Sequence, residues 1–289
     1  MLRSQACRRP TERTLTSRGG DRYRRTTDDL QRRGFASAAG EGSVVVLSVL
    51  KLLGIALNTA VMAPACVVAG MIDGRWAYRV ARAWVRINLL VSGVRIRSER
   101  QGALDPNATF VFMANHQSHF DVLAVVAALP DFQLRWVAKK ELTTVPVFGW
   151  ALRHSDHIII DRSNHAQAMT TLRAAVEKMR RGLCVIIFPE GTRGRGDGTL
   201  LPFKKGGFVL AMESGVPIVP LAVRGGRNVL GRHGWQIHGG EIDVLVGAPM
   251  PVGGLERDEL IRQVRERLED MVPGAPAAIA VPVRLAEVR

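Results

Sequence analysis

The chain has 289 residues, enough to bury a full hydrophobic core, and its 47% hydrophobic and 23% charged residues are ordinary for a folded protein. Its charge is not ordinary, because 40 Lys and Arg against 26 Asp and Glu leave a net charge of +14, which favours nucleic acid or an anionic membrane surface as a partner. The 3 cysteines are scattered, with no CxxC pair and no metal-ligand spacing, and indicate isolated thiols in a reducing compartment.

Residues 1–42 are rich in Arg, Ser and Thr and have almost no apolar periodicity, so we predict a disordered basic arm. A transit peptide, an arm held against anionic lipid and an over-extended start of the sequence are the alternatives. The stretch RRGFAS at 32–37 is similar to the end of a presequence, but 5 acidic residues make the segment less acid-poor than transit peptides usually are.

The segment 43–92 is predicted to form a two-helix membrane anchor. Its first part, 44–72, is strongly apolar and exceeds the roughly 20 residues that cross a bilayer. Three residues interrupt this part: Lys51, Asn58 and Pro64. After a short turn, four arginines spaced by four, three and four residues share one helical face: Arg75, Arg79, Arg82 and Arg86. An apolar helix followed by a basic amphipathic helix with Trp favours an in-plane or re-entrant anchor. A soluble hairpin with a solvated Arg face and a single membrane span are the alternatives.

Residues 93–272 are predicted to form one α/β domain with a largely buried sheet, because short apolar runs alternate with helical patterns. Seven runs are predicted to be strands: 94–98, 109–114, 134–138, 157–160, 184–188, 217–223 and 242–247. Helical patterns lie near 120–129, 165–181, 207–214 and 255–271. Residues 273–289 are predicted to be a loose C-terminal tail.

The first candidate site is the sequence NHQSHFD at 115–121, directly after an apolar strand. A strand end that opens into a helix start is a natural place for exposed reactive groups. His116 and Asp121 are five positions apart across this turn, so the carboxylate can fold back onto the imidazole, fix its tautomer and leave the other ring nitrogen free to accept a proton. A His–Asp pair without a serine fits a reaction in which the nucleophile is a hydroxyl of the substrate.

The second candidate site is FPEGTR at 188–193, which also follows an apolar strand and continues through a glycine-containing loop to Lys204 and Lys205. Its glycine allows close backbone approach, Arg193 offers a bidentate fork for phosphate, and Glu190 can order the site. Two other strand ends carry AKKEL at 138–142 and DR at 161–162. Several strand ends therefore bring a His–Asp pair and many cations to one edge, as a phosphate-bearing substrate requires.

These blocks, in this order, resemble the glycerophospholipid acyltransferase family, specifically the 1-acyl-sn-glycerol-3-phosphate acyltransferases. NHQSHFD resembles the family's H-x4-D catalytic block, and IIIDR, ending at Arg162, its second block. FPEGTR resembles the third block and VPIVPLAV, with Pro217 and Pro220, the fourth. The resemblance covers roughly residues 44–250. It implies a single mixed-sheet α/β acyltransferase domain preceded by an N-terminal two-helix membrane-anchoring hairpin.

The resemblance also implies a role for each matched residue. His116 is expected to be the general base that takes a proton from the glycerol hydroxyl, with Asp121 orienting it. Three cations are expected to hold the phosphate: Lys139, Arg162 and Arg193. Three residues are expected to shape the acceptor pocket: Glu190, Gly191 and Thr192. The family's usual Gly and Phe of the second block are absent, and residues 154–160 stand in their place.

The implied reaction moves a fatty acyl group from acyl-CoA or acyl carrier protein to the sn-2 hydroxyl of 1-acyl-glycerol-3-phosphate, forming phosphatidate. No metal and no cofactor are implied, since a thioester is already activated. The implied location is a membrane, at the cytoplasmic face of the bacterial inner membrane or, alternatively, in an organelle.

Other functions are weighed against this one. The protein could acylate another lysolipid, or be a catalytically silent lipid-binding membrane protein, although the catalytic blocks are intact. A metal cluster could form from His116, His119 and Asp121. Nucleic-acid binding follows from the charge alone, but no RNP-like motif, zinc finger or helix-turn-helix accompanies it, so no nucleic-acid partner is expected. The G-x-S-x-G elbow, the phosphate-binding G-x4-G-K-[ST] loop and a G-x-G-x-x-G after a strand are absent from the sequence.

Overall fold

The computed structural model describes residues 38–146, 148–161, 165–194 and 199–272. The predicted basic arm up to residue 37, Arg162 and the predicted tail 273–289 lie outside these ranges. In the described part of the chain, two long helices precede a seven-stranded sheet that carries helices on both faces.

The N-terminal hairpin consists of α1 (Ala38–Ile72) and α2 (Gly74–Ser92), which confirms the predicted pair of helices. α1 begins inside the segment predicted to be disordered, and its Ser43–Ile72 part is long and apolar enough to cross a membrane, with a mean hydropathy of 2.2. Between the helices, the Asp73 carboxylate accepts the backbone N–H of Arg75 at 2.6 Å and caps α2.

The polar residues of α1 face the rest of the protein. Lys51 Nζ donates to the carbonyl of Ile237 at 3.1 Å, and the N–H of Ile237 donates to Ser48 Oγ at 3.2 Å. Asn58 Nδ2 donates to Asn88 Oδ1 of α2 at 2.8 Å. All four polar side chains are buried, whereas large apolar side chains are exposed along the outer side of α1. The interruptions in the apolar segment therefore belong to the face that packs on the protein.

The sheet contains the seven predicted strands in the spatial order β1-β7-β6-β2-β5-β3-β4. Their bounds are β1 Val94–Arg100, β2 Val111–Ala114, β3 Leu134–Lys139, β4 Ile158–Ile160, β5 Cys184–Ile187, β6 Ile218–Arg224 and β7 Gly240–Val246. Neighbours pair in parallel except β6 and β7, which are antiparallel. The predicted mixed sheet is therefore confirmed.

The other described helices include the four that the sequence predicts and several short ones that it does not. They are α3 Phe120–Ala128, α4 Phe148–Arg153, α5 His165–Arg180, α6 Gly206–Ser214, α7 Gly226–Val229 and α8 Arg257–Met271. One turn of 3-10 helix, Lys140–Thr144, precedes α4. The 3-10 turn, α4 and α7 are the unpredicted elements.

Apolar side chains cover both faces of the sheet, because alternate residues of each strand point to opposite sides. In β2, Phe112 and Ala114 pack in a cluster with α2 and α3, whereas Val111 and Met113 pack in a cluster with α5, α6 and α8. The parallel strands β2, β3 and β5 end at the same edge of the sheet, where the candidate site lies.

Candidate active site

His116 and Asp121 form a hydrogen-bonded pair where β2 passes into α3. His116 Nδ1 lies 2.9 Å from Asp121 Oδ2, and the Asp121 side chain is fully buried. The same oxygen accepts the backbone N–H groups of Gln117 and Ser118, the latter at 2.7 Å. Because an ionised carboxylate can only accept, Nδ1 is the donor of this bond, and Nε2 is the ring nitrogen left to accept a proton in the neutral imidazole. The pair has the geometry of a general base with an orienting carboxylate.

The FPEGTR loop is bonded to the backbone of His116 on both sides. Glu190 Oε1 accepts the His116 N–H at 2.9 Å, and the Gly194 N–H donates to the His116 carbonyl at 2.6 Å. Glu190 Oε2 accepts the Leu201 N–H at 3.0 Å. The ring of Phe188 stacks on the imidazole with centroids 4.2 Å apart. Burial raises the pKa of the Glu190 carboxyl, although the two N–H donors act in the opposite direction. Both oxygens of Glu190 are engaged with backbone, so this side chain orders the loops around the imidazole.

Two further side chains of the first block bind β6 and the segment that follows it. Asn115 Nδ2 donates to the Val223 carbonyl at 2.9 Å, and Asn115 Oδ1 accepts the Val223 N–H at 2.7 Å. Ser118 Oγ donates to the Leu230 carbonyl at 2.8 Å. Sequence reasoning assigned no role to these side chains, because their partners are more than a hundred positions away along the chain.

Gly226 lies directly against the buried carboxylate of Asp121. A Cβ atom at position 226 would be 2.2 Å from Asp121 Oδ1 and 3.2 Å from the Cβ of Ser118, so glycine is required by the close approach. Asp121 Oδ1 is buried without a hydrogen-bond partner. The only sequence signal for this contact is the Gly-Gly pair at 225–226, which by itself predicts a turn.

Four residues expected to bind substrate lie around the imidazole: Lys139, Gly191, Thr192 and Arg193. They line one cavity together with His116 and His119. Lys139 and Thr192 are exposed, and Arg193 is half-buried. Gly191 has φ 69°, in the left-handed region that glycine favours, where the loop turns after Glu190. Burial, and then the charge of Arg193, lower the pKa of the His119 imidazole.

Arg162 lies outside the described residues, so its predicted contact with phosphate is not placed. Asp161, which precedes it, accepts a hydrogen bond from Lys140 Nζ at 3.0 Å. Ile160, the last residue of β4, pairs with Lys139 of β3. Of the three predicted phosphate ligands, the structure thus brings Lys139 and Arg193 to the cavity.

The cavity has a volume of about 560 Å³ and is largely apolar. Its walls come from α1, α2, α3, β3 and α4, and His116 lies at the sheet edge where β2, β3 and β5 end. It follows β3 from Lys139 inward to Trp136, a distance of about 10 Å at 3.3 Å per residue. Further in, His157 stacks on Trp136 with centroids 5.2 Å apart. Burial, together with the charges of Arg135 and Lys178, lowers the pKa of His157 to about 3.

A metal cluster was one alternative for the first block. In the part of the chain that the structure describes, no group of three or more His, Cys, Asp or Glu side chains could hold a metal ion. Oδ2 of Asp121 instead accepts three N–H groups, from His116, Gln117 and Ser118.

The sheet edge thus combines a carboxylate-oriented imidazole with Lys139, Arg193 and an apolar cavity. A family model described as Acyltransferase matches residues 95–224. The matched region runs from β1 to the end of β6 and contains the His–Asp pair and the FPEGTR loop.

Two curated relatives narrow this class to one family of acyltransferases. The chain is 33% identical to the 1-acyl-sn-glycerol-3-phosphate acyltransferase of Pseudomonas aeruginosa over 218 residues, 74% of this chain and 83% of the relative. It is 30% identical to the Saccharomyces cerevisiae protein of the same name over 233 residues, 78% of this chain and 75% of the relative. The chain belongs to the 1-acyl-sn-glycerol-3-phosphate acyltransferase family.

The fold is also that of a solved relative. The crystal structure of the 1-acyl-sn-glycerophosphate (LPA) acyltransferase PlsC from Thermotoga maritima matches with a TM-score of 0.68 at 22% identity, over 80% of this chain and 95% of that chain. Coverage of the curated relatives is uneven, because the chain spans between 44% and 83% of their lengths.

Proposed function

We propose that the protein transfers a fatty acyl group from acyl-CoA or acyl carrier protein to the sn-2 hydroxyl of 1-acyl-glycerol-3-phosphate, forming phosphatidate. The observation that carries this proposal is the His116–Asp121 pair, held at 2.9 Å at the head of an apolar cavity with Lys139 and Arg193 in the same lining. The names of the relatives support the same acceptor.

In the proposed mechanism, His116 Nε2 takes the proton of the acceptor hydroxyl. At the same time, the hydroxyl oxygen attacks the carbonyl carbon of the thioester. The new acyl–oxygen bond forms, the carbon–sulfur bond breaks, and the departing thiolate takes the proton from the imidazolium. Asp121 keeps the proton on Nδ1 and stabilises the imidazolium. General-base catalysis supplies about 10²–10⁴-fold, and holding donor and acceptor together supplies about 7–11 kcal/mol of the barrier.

The acceptor phosphate is proposed to bind Lys139, Arg193 and Arg162. Arg193 offers a planar fork that matches phosphate oxygens, and Lys139 adds a mobile point charge. Gly191 and Thr192 shape the pocket between these cations and the imidazole. Glu190 contributes by fixing the FPEGTR loop, since both its oxygens accept backbone N–H groups.

The acyl chain is proposed to lie in the apolar cavity between the hairpin and the sheet. Removing the chain from water supplies about 0.8 kcal/mol for each buried CH₂ group. The reactive carbonyl would then remain at the His116 end, where the polar lining is concentrated.

The hairpin is proposed to attach the protein to the cytoplasmic face of the bacterial inner membrane, or to an organelle membrane. Near its start α1 is bonded to Ile237 through Ser48 and Lys51, and near its end the carbonyl of His154 lies against Gly70. α1 therefore contacts the rest of the protein from Ser48 to Gly70, which favours a position along the domain over a free membrane span. Since its outer side is apolar throughout, α1 is proposed to lie in the plane of one leaflet.

The test is an assay of purified protein in vesicles, with labelled acyl-CoA or acyl carrier protein thioesters and a panel of lysolipids. Labelled phosphatidate is expected with lysophosphatidate as acceptor. His116→Ala is expected to abolish transfer, while His233→Ala, at an exposed histidine outside the cavity lining, keeps it. Turnover by folded His116→Ala would refute the role of His116 as general base. Absence of transfer to any lysolipid by the unmodified protein would overturn the proposed function.

A further inference from the structure

The segment 140–153 forms one edge of the acyl cavity. It consists of the 3-10 turn Lys140–Thr144 and α4, and we refer to its described residues, 140–146 and 148–153, as the cavity-edge segment. Its inner side contributes Leu142, Phe148 and Leu152 to the cavity lining. The Arg153 guanidinium donates to the carbonyls of Thr143 at 2.8 Å and Gly149 at 3.3 Å, so the 3-10 turn and α4 are tied into one unit.

The outer side of the cavity-edge segment is also apolar. Leu142, Val145 and Trp150 are 43%, 44% and 49% exposed. Single exposed apolar residues are common, but three large ones within nine positions form a patch of the kind that marks an interaction surface. The charged residues of the segment are Lys140 and Arg153 against Glu141, so the patch has a small positive excess.

This patch continues the exposed side of α1. Ala151, next to Trp150, packs in a small apolar cluster with Ala63, Cys66 and Val67 of α1. The neighbouring outward residues of α1 are large and exposed: Val61, Val68, Met71 and Ile72. α1 and the cavity-edge segment therefore present one apolar surface, and the cavity lies behind it.

We propose that the cavity-edge segment inserts into the same membrane leaflet as α1, as a second membrane-contacting element outside the hairpin. This inference rests on the proposed attachment of the protein to a membrane through α1. Shortly after the exposed Ile72, the start of α2 carries exposed Arg75 and Trp76, with Arg79 4.4 Å from the Trp76 ring centroid, and such cations match anionic headgroups.

Insertion of this segment would open the cavity toward the leaflet that holds its lipid substrates. Since Leu142 belongs both to the cavity lining and to the exposed patch, the cavity wall and the lipid-facing surface share a side chain. The acceptor and the acyl chain would then reach His116 without passing through water.

The experiment uses one environment-sensitive fluorophore on a single introduced cysteine of the full chain. Cys7→Ser removes one native thiol, and Cys66 and Cys184 are buried. The test variant carries the labelled cysteine in place of Val145, and a reference variant carries it in place of Leu53 on the outer side of α1. A control variant carries it in place of the exposed Asp270 of α8, across the sheet from the hairpin. Each labelled protein is checked for transfer in detergent. Vesicles of phosphatidylcholine and phosphatidylglycerol, with or without nitroxide-labelled lipid, are then added.

The labels on Val145 and Leu53 are expected to shift to the blue and to be quenched by nitroxide lipid, whereas the label on Asp270 is not. Quenching at Leu53 but not at Val145 would overturn insertion of the cavity-edge segment and leave attachment through α1 intact. No quenching at Leu53 would overturn the attachment itself and this inference with it. A Val145 label that is blue-shifted before vesicles are added and is not quenched afterwards would assign the patch to a second copy of the chain, contrary to the proposal.

Discussion

Replacing Gly226 with Ala tests how closely the carboxylate of Asp121 must be held. The added Cβ would lie 2.2 Å from Asp121 Oδ1, whereas ordinary contact needs about 3.4 Å, so the two must part by about 1 Å. The carboxylate has little freedom, because Oδ2 accepts three N–H groups on the side of His116 and Ser118. The segment 223–230 is equally constrained by its bonds to Asn115 and Ser118.

Since both sides are held, the displacement is shared between them, and the part that Asp121 takes moves the His–Asp pair. A misplacement of 1 Å in a catalytic group costs about 10²-fold in rate, equivalent to about 2.7 kcal/mol. We expect Gly226→Ala to lower kcat by up to about 10²-fold, with little change in the acceptor KM, because Gly226 does not line the cavity that holds the substrates.

Steady-state kinetics in vesicles, with thermal unfolding of the same samples, measure this effect. The matched control is Gly231→Ala, since a Cβ at position 231 would meet nothing closer than the nitrogen of Gly234 at 3.9 Å. If folded Gly226→Ala kept the kcat of the control, or changed only KM, the absence of a side chain at Gly226 would not be what positions the Asp121 carboxylate.

Three further predictions concern the loop, the acceptor and pH. Arg193→Ala is expected to raise the acceptor KM by about 10–100-fold, through loss of charge-assisted bonds worth about 1.5–3 kcal/mol; an unchanged KM, as expected for Arg262→Ala on α8, would contradict phosphate binding. Glu190→Gln is expected to lower the free energy of unfolding by about 1–3 kcal/mol, because an amide cannot accept both backbone N–H groups; denaturant titration showing equal stability would refute this. Burial holds the pKa of His157 at about 3, below its ordinary 6.5, so between pH 3 and 6.5 the unfolded state binds more protons than the folded state, and the free energy of unfolding falls as the pH drops. His157→Gln is expected to reduce the slope of this loss by up to about 1.4 kcal/mol per pH unit. An unchanged slope in the variant would contradict the assignment to His157.

The strands were predictable because the sheet is covered on both faces. Residues such as Val111 and Phe112 are buried on opposite sides, so each central strand reads as a continuous apolar run that ends at a polar residue. β1 extends to Arg100, beyond the predicted end at residue 98, since its edge position tolerates charged residues. The order of the strands was not predictable, because pairing depends on contacts between distant runs.

The short elements escaped prediction for a different reason. The 3-10 turn Lys140–Thr144, α4 and α7 have between four and six residues, too few for a helical period to show. The contact between Gly226 and Asp121 also could not be predicted from the local sequence, since two consecutive glycines indicate only a turn. Residue types at strand ends predicted the His–Asp pair and the cations beside it. The side chains that hold this pair in place could be recognised only from the folded structure.

The contacts between the sequence blocks explain why the ordered set of blocks identifies the family, although each block alone is a weak signal. The strand order β6-β2-β5 puts the ends of three blocks side by side. His116 is bonded through its N–H and its carbonyl to the FPEGTR loop, and the adjacent Asn115 is bonded to β6. These bonds join buried or part-buried groups, so losing one leaves a donor or acceptor unpaired at a cost of about 1–3 kcal/mol. A change in the first, third or fourth block is therefore expected to displace the same imidazole.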